Sequence, residues 1–158
     1  MGEQELSWQE LAELGWLGVS LAEEEGGAGL GFVEEAILIE ELGRVLVPQP
    51  YLATVGLALP ALGAEERSRV AAGEARWSAA LDGALVPDLD KVDAVVTPEG
   101  VAAAEGEVMT TVDETRTLGR LAPGPRRPLP GRLDRARALA ALAVEAVGVA
   151  GKALEMAV

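Results

Sequence analysis

Apolar residues recur at helical spacing along the first half of the chain. The clearest run, at residues 32–47, mixes apolar side chains with pairs of glutamates and ends at Pro48, which predicts an amphipathic helix. Residues 51–62 are almost entirely apolar, so a helix there must lie between other helices. Two shorter helices are predicted at residues 3–14 and 64–72, ended by Gly15 and Gly73. This half of the chain therefore predicts a stack of helices.

The helix at residues 32–47 is predicted to have one face toward water and one toward the core. The outer face is expected to hold Glu34, Glu35, Glu40 and Glu41. The inner face is expected to hold Phe32, Val33, Ala36, Ile37, Leu38, Leu42, Val45 and Leu46. Because solvation explains these glutamates, they are not evidence for a catalytic base.

The pattern changes at residue 75, where short runs with β-branched residues alternate with turn formers. The runs occupy residues 75–85, 92–97, 100–104, 107–112 and 117–121. Pro98-Glu99-Gly100 and Glu105-Gly106 are plausible turns between them. We expect a small antiparallel sheet of three to five strands.

The last part of the chain reads as a linker followed by one long helix. Residues 122–132 are rich in proline and arginine, and residues 133–158 form a continuous helical pattern. Gly148 and Gly151 inside it predict a close contact with another helix, since glycine otherwise weakens a helix. Seven arginines lie between Arg116 and Arg137. These arginines could bind a phosphate or an acidic partner surface, but the favoured interpretation is that they belong to a linker.

Together these patterns predict an α+β fold that is mainly α. The divisions are a helical domain at residues 1–74, a small β region at 75–121, a linker at 122–132 and a helix at 133–158. The glycine-rich loop at 26–31 is expected to be a packed loop. A phosphate-binding loop would follow a strand, which is not predicted here.

Composition narrows the chemistry that the chain can perform. Cysteine and histidine do not occur, which excludes thiol nucleophiles, disulfides and most transition-metal sites. The net charge of −13 argues against binding to nucleic acid or anionic membranes. The longest apolar stretch, residues 138–151, is shorter than the ~20 residues of a membrane span. Without a basic and apolar leader at the start, a cytoplasmic protein is expected.

Residues 8–32 read WQELAELGWLGVSLAEEEGGAGLGF and resemble the amino-terminal domain of acyl-CoA dehydrogenases. In that family a helix ending in Leu-Gly leads to Pro-Glu-Glu-Tyr-Gly-Gly-Ala-Gly. Here Ala22 stands for the proline and Glu25 for the tyrosine. The stretches at 40–44 and 48–54 also resemble the family, and weaker matches follow at 113–116 and 134–158.

The resemblance implies a helical domain, a β-barrel-like domain and a four-helix domain, of which residues 133–158 would be the first helix of an incomplete bundle. It also implies FAD as cofactor, acyl-CoA as substrate, and an assembly of subunits. The flavin-facing segment would fall at Ala80, Leu81 and Asp82, although the family's threonine, proline and serine are absent there. No residue matches the family's catalytic glutamate, so no catalytic residue is assigned, and Glu145 and Glu155 match no motif. No metal site is expected.

Three functions remain open at this point. The chain could carry out flavin-dependent α,β-dehydrogenation of acyl-CoA thioesters, alone or as one part of a larger enzyme. It could be a non-catalytic subunit that docks on a fuller dehydrogenase chain. It could also be an inactive remnant of the family. As partners, a homo-oligomer or association with a fuller dehydrogenase subunit is expected.

Overall fold

The computed structural model describes residues 6–82, 85–113 and 115–158. Within these ranges there are four α-helices: α1 (Trp8–Glu13), α2 (Phe32–Arg44), α3 (Ala64–Ala71) and α4 (Arg135–Ala157). The described part of the β region has six strands: β1 (Trp77–Ala79), β2 (Leu85–Pro87), β3 (Ala94–Thr97), β4 (Gly100–Ala103), β5 (Gly106–Met109) and β6 (Leu118–Leu121). The mainly helical α+β class is confirmed. The first residues of the helix expected at 3–14 lie outside the described residues.

Local sequence signals account for the ends of the helices. The Ser7 hydroxyl accepts a bond from the Glu10 amide, and the Glu10 carboxylate accepts one from the Ser7 amide, which caps α1. The Asp134 carboxylate accepts a bond from the Arg137 amide and caps α4. Gly15 and Gly73 adopt positive φ angles of 73° and 76° just beyond α1 and α3. The predicted stops at these two glycines are confirmed.

Helices α2 and α4 pack closely because both carry glycines at the contact. A Cβ added to Gly43 would lie 2.9 Å from the Glu145 carbonyl oxygen, and one added to Gly148 would lie 2.1 Å from that of Glu40. The close contact predicted for Gly148 is confirmed, while a Cβ on Gly151 would meet only the end of the Arg44 side chain at 3.2 Å.

The apolar segment expected as a helix at 51–62 forms a π-helix at Leu52–Ala58 and a 3-10 turn at Leu59–Ala61. Every residue of the π-helix is buried, and it contacts α4 and β1. The Thr54 hydroxyl donates to the Trp77 carbonyl at 2.7 Å and accepts from the Trp77 amide at 3.1 Å. This segment therefore joins the helical layer to the sheet region. It is buried, as its almost entirely apolar sequence predicted.

The prediction of the buried face of α2 was wrong in part. Glu35 is fully buried, together with Ile39, Leu42 and Gly43. Several side chains expected inside are exposed, namely Val33, Ile37, Val45 and Leu46. The buried positions follow the i, i+4, i+7 spacing of one helical face, and Glu35 can lie there because it has a cationic partner.

The β region forms two three-stranded sheets where one antiparallel sheet was expected. The first has the order β1-β3-β4, with β1 parallel to β3, and the second has the antiparallel order β2-β6-β5. The parallel pair arises because β2 joins the other sheet before the chain returns at β3. A small core of Ala80, Val86, Leu89 and Val95 lies apart from the main helical core.

Residues 122–132 are held against the rest of the protein by backbone hydrogen bonds. Arg127 and Val101 exchange two bonds of 2.8 Å, and the Gly131 amide donates to the Ala61 carbonyl at 3.1 Å. The glycine loop is likewise packed as expected, since a Cβ on Gly27 would lie 2.2 Å from the Leu21 carbonyl oxygen. Within the described residues, no helix combines the length and the apolar character that a bilayer crossing requires.

Candidate functional site

The structure separates the three residues that were candidates for flavin contact. Ala80 is fully buried, and its amide donates to the Val96 carbonyl at 2.8 Å, so it extends the first sheet. Leu81 is half-buried and Asp82 is exposed. Only Leu81 lines a cleft, which makes it the one residue of the three that is placed to contact a ligand there.

The cleft has a volume of about 530 Å³ and lies between the β3–β4 turn, the end of the 122–132 segment and the start of α4. Its apolar wall includes Leu81, Leu129 and Leu133, and its polar rim is formed by Glu99, Arg132 and Arg135. The Arg135 guanidinium lies 3.5 Å from the Leu81 carbonyl oxygen. An apolar wall beside two cations suits a ligand that has both an apolar and an anionic part.

An ion pair inside the protein joins α2 to α4. Arg137 donates to the Glu35 carboxylate at 2.6 Å, and the Ser20 hydroxyl donates to the same oxygen. The Arg137 guanidinium also lies 4.7 Å from the centre of the Phe32 ring. Burial raises the pKa of Glu35, while Ser20 and Arg137 act in the opposite direction. This pair was missed because the glutamate was assigned to the outer face by its charge.

A second charged cluster ties the β region to α4. Arg116 forms ion pairs with Glu145 on α4 and with Asp88, which is buried and has a left-handed φ of 51°. Lys91 donates to the Asp88 carboxylate at 3.1 Å and to the Pro48 carbonyl at 3.2 Å. Burial raises the pKa of Glu145, and Arg116 opposes that shift. Through these contacts the cluster connects the β region to α4 and to the Pro48 backbone.

Neither glutamate considered from the sequence is placed as a general base. Glu145 is paired with Arg116, and Glu155 accepts a bond from Arg44 at 2.5 Å, which lowers the pKa of Glu155. A general base must face the proton that it removes, and neither glutamate lines the cleft.

The outer side of α4 carries several exposed apolar side chains. Its exposed side chains include Leu139, Val147, Val149, Leu154 and Met156, of which Leu154 is 67% and Met156 is 75% exposed. Residues 138–157 contain three charged side chains, and these are paired: Glu145 with Arg116, Glu155 with Arg44, and Lys152 with Glu155. An apolar helix surface of this length is typical of a contact with another helix. We call it the outer face of α4.

The amino-terminal part of the chain matches one known family. Residues 2–71 match the model described as acyl-CoA dehydrogenase, N-terminal domain. The chain is 36% identical to acyl-CoA dehydrogenase IpdE2 of Mycobacterium tuberculosis over an aligned length of 172, and the match covers 99% of this chain and 53% of that protein. The chain thus spans about half the length of this relative.

Solved structures show the same fold. The Tcur3481-Tcur3483 steroid ACAD, in its G363A variant, superposes with a TM-score of 0.72 at 28% identity, and the match covers 94% of this chain and 55% of that one. An acyl-CoA dehydrogenase of Bacillus anthracis, solved with FAD, superposes with a TM-score of 0.61 at 21% identity, covering 94% of this chain and 37% of that one. The second likeness shows the fold alone.

Proposed function

Because this chain belongs to the acyl-CoA dehydrogenase family, we propose that it is one part of a flavin-dependent enzyme that oxidises acyl-CoA thioesters. Within that enzyme, residues 1–74 supply the helical domain, residues 75–121 the β region, and residues 133–158 the first helix of the carboxy-terminal bundle. Residues 122–132 connect the last two.

The outer face of α4 is the observation that carries this proposal. It presents Leu139, Val147 and Leu154 to solvent at 51%, 60% and 67% exposure. Fully burying an exposed Val or Leu side chain is worth about 1.5–3 kcal/mol, so covering these three partly exposed side chains would each contribute a part of that free energy to docking. The name of the similar steroid ACAD joins two components, Tcur3481 and Tcur3483. We propose that the outer face of α4 docks on a fuller acyl-CoA dehydrogenase chain.

The charged residues of this chain support a structural rather than a catalytic contribution. Oxidation of a thioester requires a base at the α-carbon and hydrogen bonds to the carbonyl oxygen. The flavin, when bound, supplies the redox chemistry. Among the described residues, the buried carboxylates Glu35 and Asp88 are held by arginine or lysine, and the only carboxylate on the cleft is the exposed Glu99. We propose that the catalytic base comes from the partner chain.

The cleft fits part of a flavin nucleotide. Arg132 and Arg135 could hold its phosphates, and the leucine wall could contact an apolar ring. Ala80 does not fit this role, because its amide is already bonded within the sheet. This partial fit supports FAD binding that is shared between two chains.

The visible absorption spectrum tests the proposal. The chain would be incubated with FAD, freed of unbound cofactor, and recorded before and after acyl-CoA thioesters are added. The same measurement would be made after co-purification with each full-length acyl-CoA dehydrogenase chain of the same genome. We expect flavin that bleaches only in a co-purified complex. Retained flavin that bleaches with the chain alone would place the base in this chain and overturn the division of roles.

A further inference from the structure

A second cavity lies along β4, which is an outer strand of the first sheet. Its volume is about 270 Å³, and among the described residues none lines both this cavity and the cleft beside Leu81. One side is formed by Val101, Ala103 and the following Glu105, and the opposite side by residues 122–127. We call it the β4 notch. Most small-molecule sites have volumes of ~300–1,000 Å³, so the notch suits a short segment of a larger molecule.

The notch exists because residues 122–127 pair with the β region only at their two ends. The Ala122 amide donates to the Glu105 carbonyl at 2.8 Å, and Arg127 exchanges two bonds of 2.8 Å with Val101. Between these two pairs lie three residues on the β4 side and four on the opposite side. Because the numbers differ, regular pairing cannot continue from one pair to the other, and the longer side bulges away from β4.

The bulge leaves the backbone of Ala103 open to solvent. Hydrogen-bonding groups two residues apart on a strand point to the same side, so those of Ala103 point to the edge where Val101 bonds to Arg127. In continued register Ala103 would face Pro125, which has no N–H to donate. Outside the strand ladders, the backbone hydrogen bonds between described residues do not include Ala103, which is exposed. The notch therefore presents one backbone donor and one backbone acceptor.

The other walls of the notch are largely apolar and held in shape. Val101 lines the inner side, and Pro123 and Pro125 line the outer side. The proline rings fix the φ angles of the bulge, and the Arg126 guanidinium donates to the Gly124 carbonyl at 3.0 Å. A site that is already ordered loses little conformational entropy when a ligand binds. An open strand edge beside apolar walls favours a peptide, which supplies backbone groups for the edge and a side chain for the walls.

We propose that the β4 notch binds an extended peptide segment of another protein. The segment adds to the edge of β4: one of its carbonyls accepts from the Ala103 amide, and one of its amides donates to the Ala103 carbonyl. An apolar side chain of the segment contacts Val101 and the two prolines. In this mode of recognition the backbone bonds give affinity and the side-chain contacts give specificity. The notch is separate from the outer face of α4, so its failure would leave the proposed function unchanged.

Nuclear magnetic resonance of the isotope-labelled chain tests the site with a defined probe. The probe is an uncharged, blocked pentapeptide of alternating threonine and valine, and its control is the same peptide with every backbone nitrogen methylated. We expect the probe to shift the Ala103 amide signal saturably and to slow the hydrogen exchange of that amide. The methylated peptide has no backbone donor and should do neither. The absence of a saturable shift, or equal shifts with both peptides, would refute the site.

Two proline substitutions compare the notch with another outer strand. Ala103→Pro removes the donor but keeps the bonds to β3, because this amide points away from β3. It should weaken binding by about tenfold, followed through the Val101 amide signal. Val108→Pro is the matched control, since Val108 lies on the outer strand β5 and its amide points away from β6. Its affinity should be unchanged.

Circular dichroism melts check that both proline variants remain folded, and the methylated peptide tests the same backbone bonds without altering the protein. Binding that Val108→Pro abolishes and Ala103→Pro preserves would place the peptide on β5 and overturn the proposal. Equal weakening in both variants would also contradict it, because only Ala103 lines the notch.

Discussion

The ion pair between Glu35 and Arg137 gives the sharpest prediction about stability. Replacing Arg137 with methionine keeps much of the side-chain volume but leaves the Glu35 carboxylate buried without its cation. Glu35 is 0% exposed and would keep the Ser20 hydroxyl as a donor, while its other oxygen, Oε1, has no hydrogen-bond partner in the structure. Breaking a buried pair in this way costs about 3–5 kcal/mol. We expect the lower end of that range, because the Arg137 side chain is 23% exposed.

The loss should depend on pH in a defined direction. In the folded variant the pKa of Glu35 lies above its unfolded value, because burial is no longer opposed by Arg137. The folded state then binds the proton more readily than the unfolded state does. This group therefore favours folding below its unfolded pKa, and that contribution is lost as the pH rises through the folded pKa. Arg137→Met should accordingly be less destabilising at pH 5 than at pH 7.

Urea unfolding followed by tryptophan fluorescence measures this difference, because Trp8 and Trp77 are buried in the main core. The double variant Glu35→Leu/Arg137→Met should recover most of the lost free energy, since neither charge remains buried. Arg120→Met, at an exposed position, is the control and should change the free energy of unfolding little. A loss below about 1 kcal/mol for Arg137→Met, typical of exposed pairs, would refute the reasoning. So would an equal loss at pH 5 and pH 7.

Two further substitutions test the packing between elements. Gly148→Ala places a Cβ 2.1 Å from the Glu40 carbonyl oxygen, so α2 and α4 must move apart, at a cost of about 1–3 kcal/mol in a thermal melt. Gly124→Ala has only an arginine side-chain end at 4.0 Å and should melt like the unmodified chain; equal melting of both variants would contradict the close packing. Thr54→Val removes two buried hydrogen bonds to Trp77 and should cost about 1–3 kcal/mol in urea unfolding. An unchanged urea midpoint would show that those bonds do not contribute.

Much of the helical part could be predicted because its signals are local. The run at residues 32–47, Gly15, Gly73 and the long pattern after Asp134 all correspond to observed helices or helix ends. Glu35 shows the limit of such signals. Its charge predicts an exposed position, whereas its helical spacing with Ile39 and Leu42 predicts a buried one. The buried position is possible because Arg137, which is distant in the sequence, pairs with the carboxylate.

The remaining differences involve partners that are far apart in the sequence. The parallel pairing of β1 with β3 is possible because β2 belongs to the other sheet. No local sequence pattern indicates which sheet β2 joins. The 122–132 segment has the composition of a linker, but Val101 and Ala61 supply its hydrogen-bond partners. For the same reason the cleft could not be predicted, although Leu81 and the arginine-rich stretch had each been noted separately.

The central claim is that the outer face of α4 docks on a fuller acyl-CoA dehydrogenase chain. The molar mass of a purified mixture of the two chains tests this claim most directly. The chain would be combined with each full-length acyl-CoA dehydrogenase chain of the same genome and measured by size-exclusion chromatography with light scattering. We expect one combination to form a stable complex that Val147→Lys and Leu154→Lys abolish, while Val108→Lys, an exposed position on β5, leaves it intact. A chain that stays monomeric with every candidate, or a complex that tolerates lysine on the outer face of α4, would contradict the account.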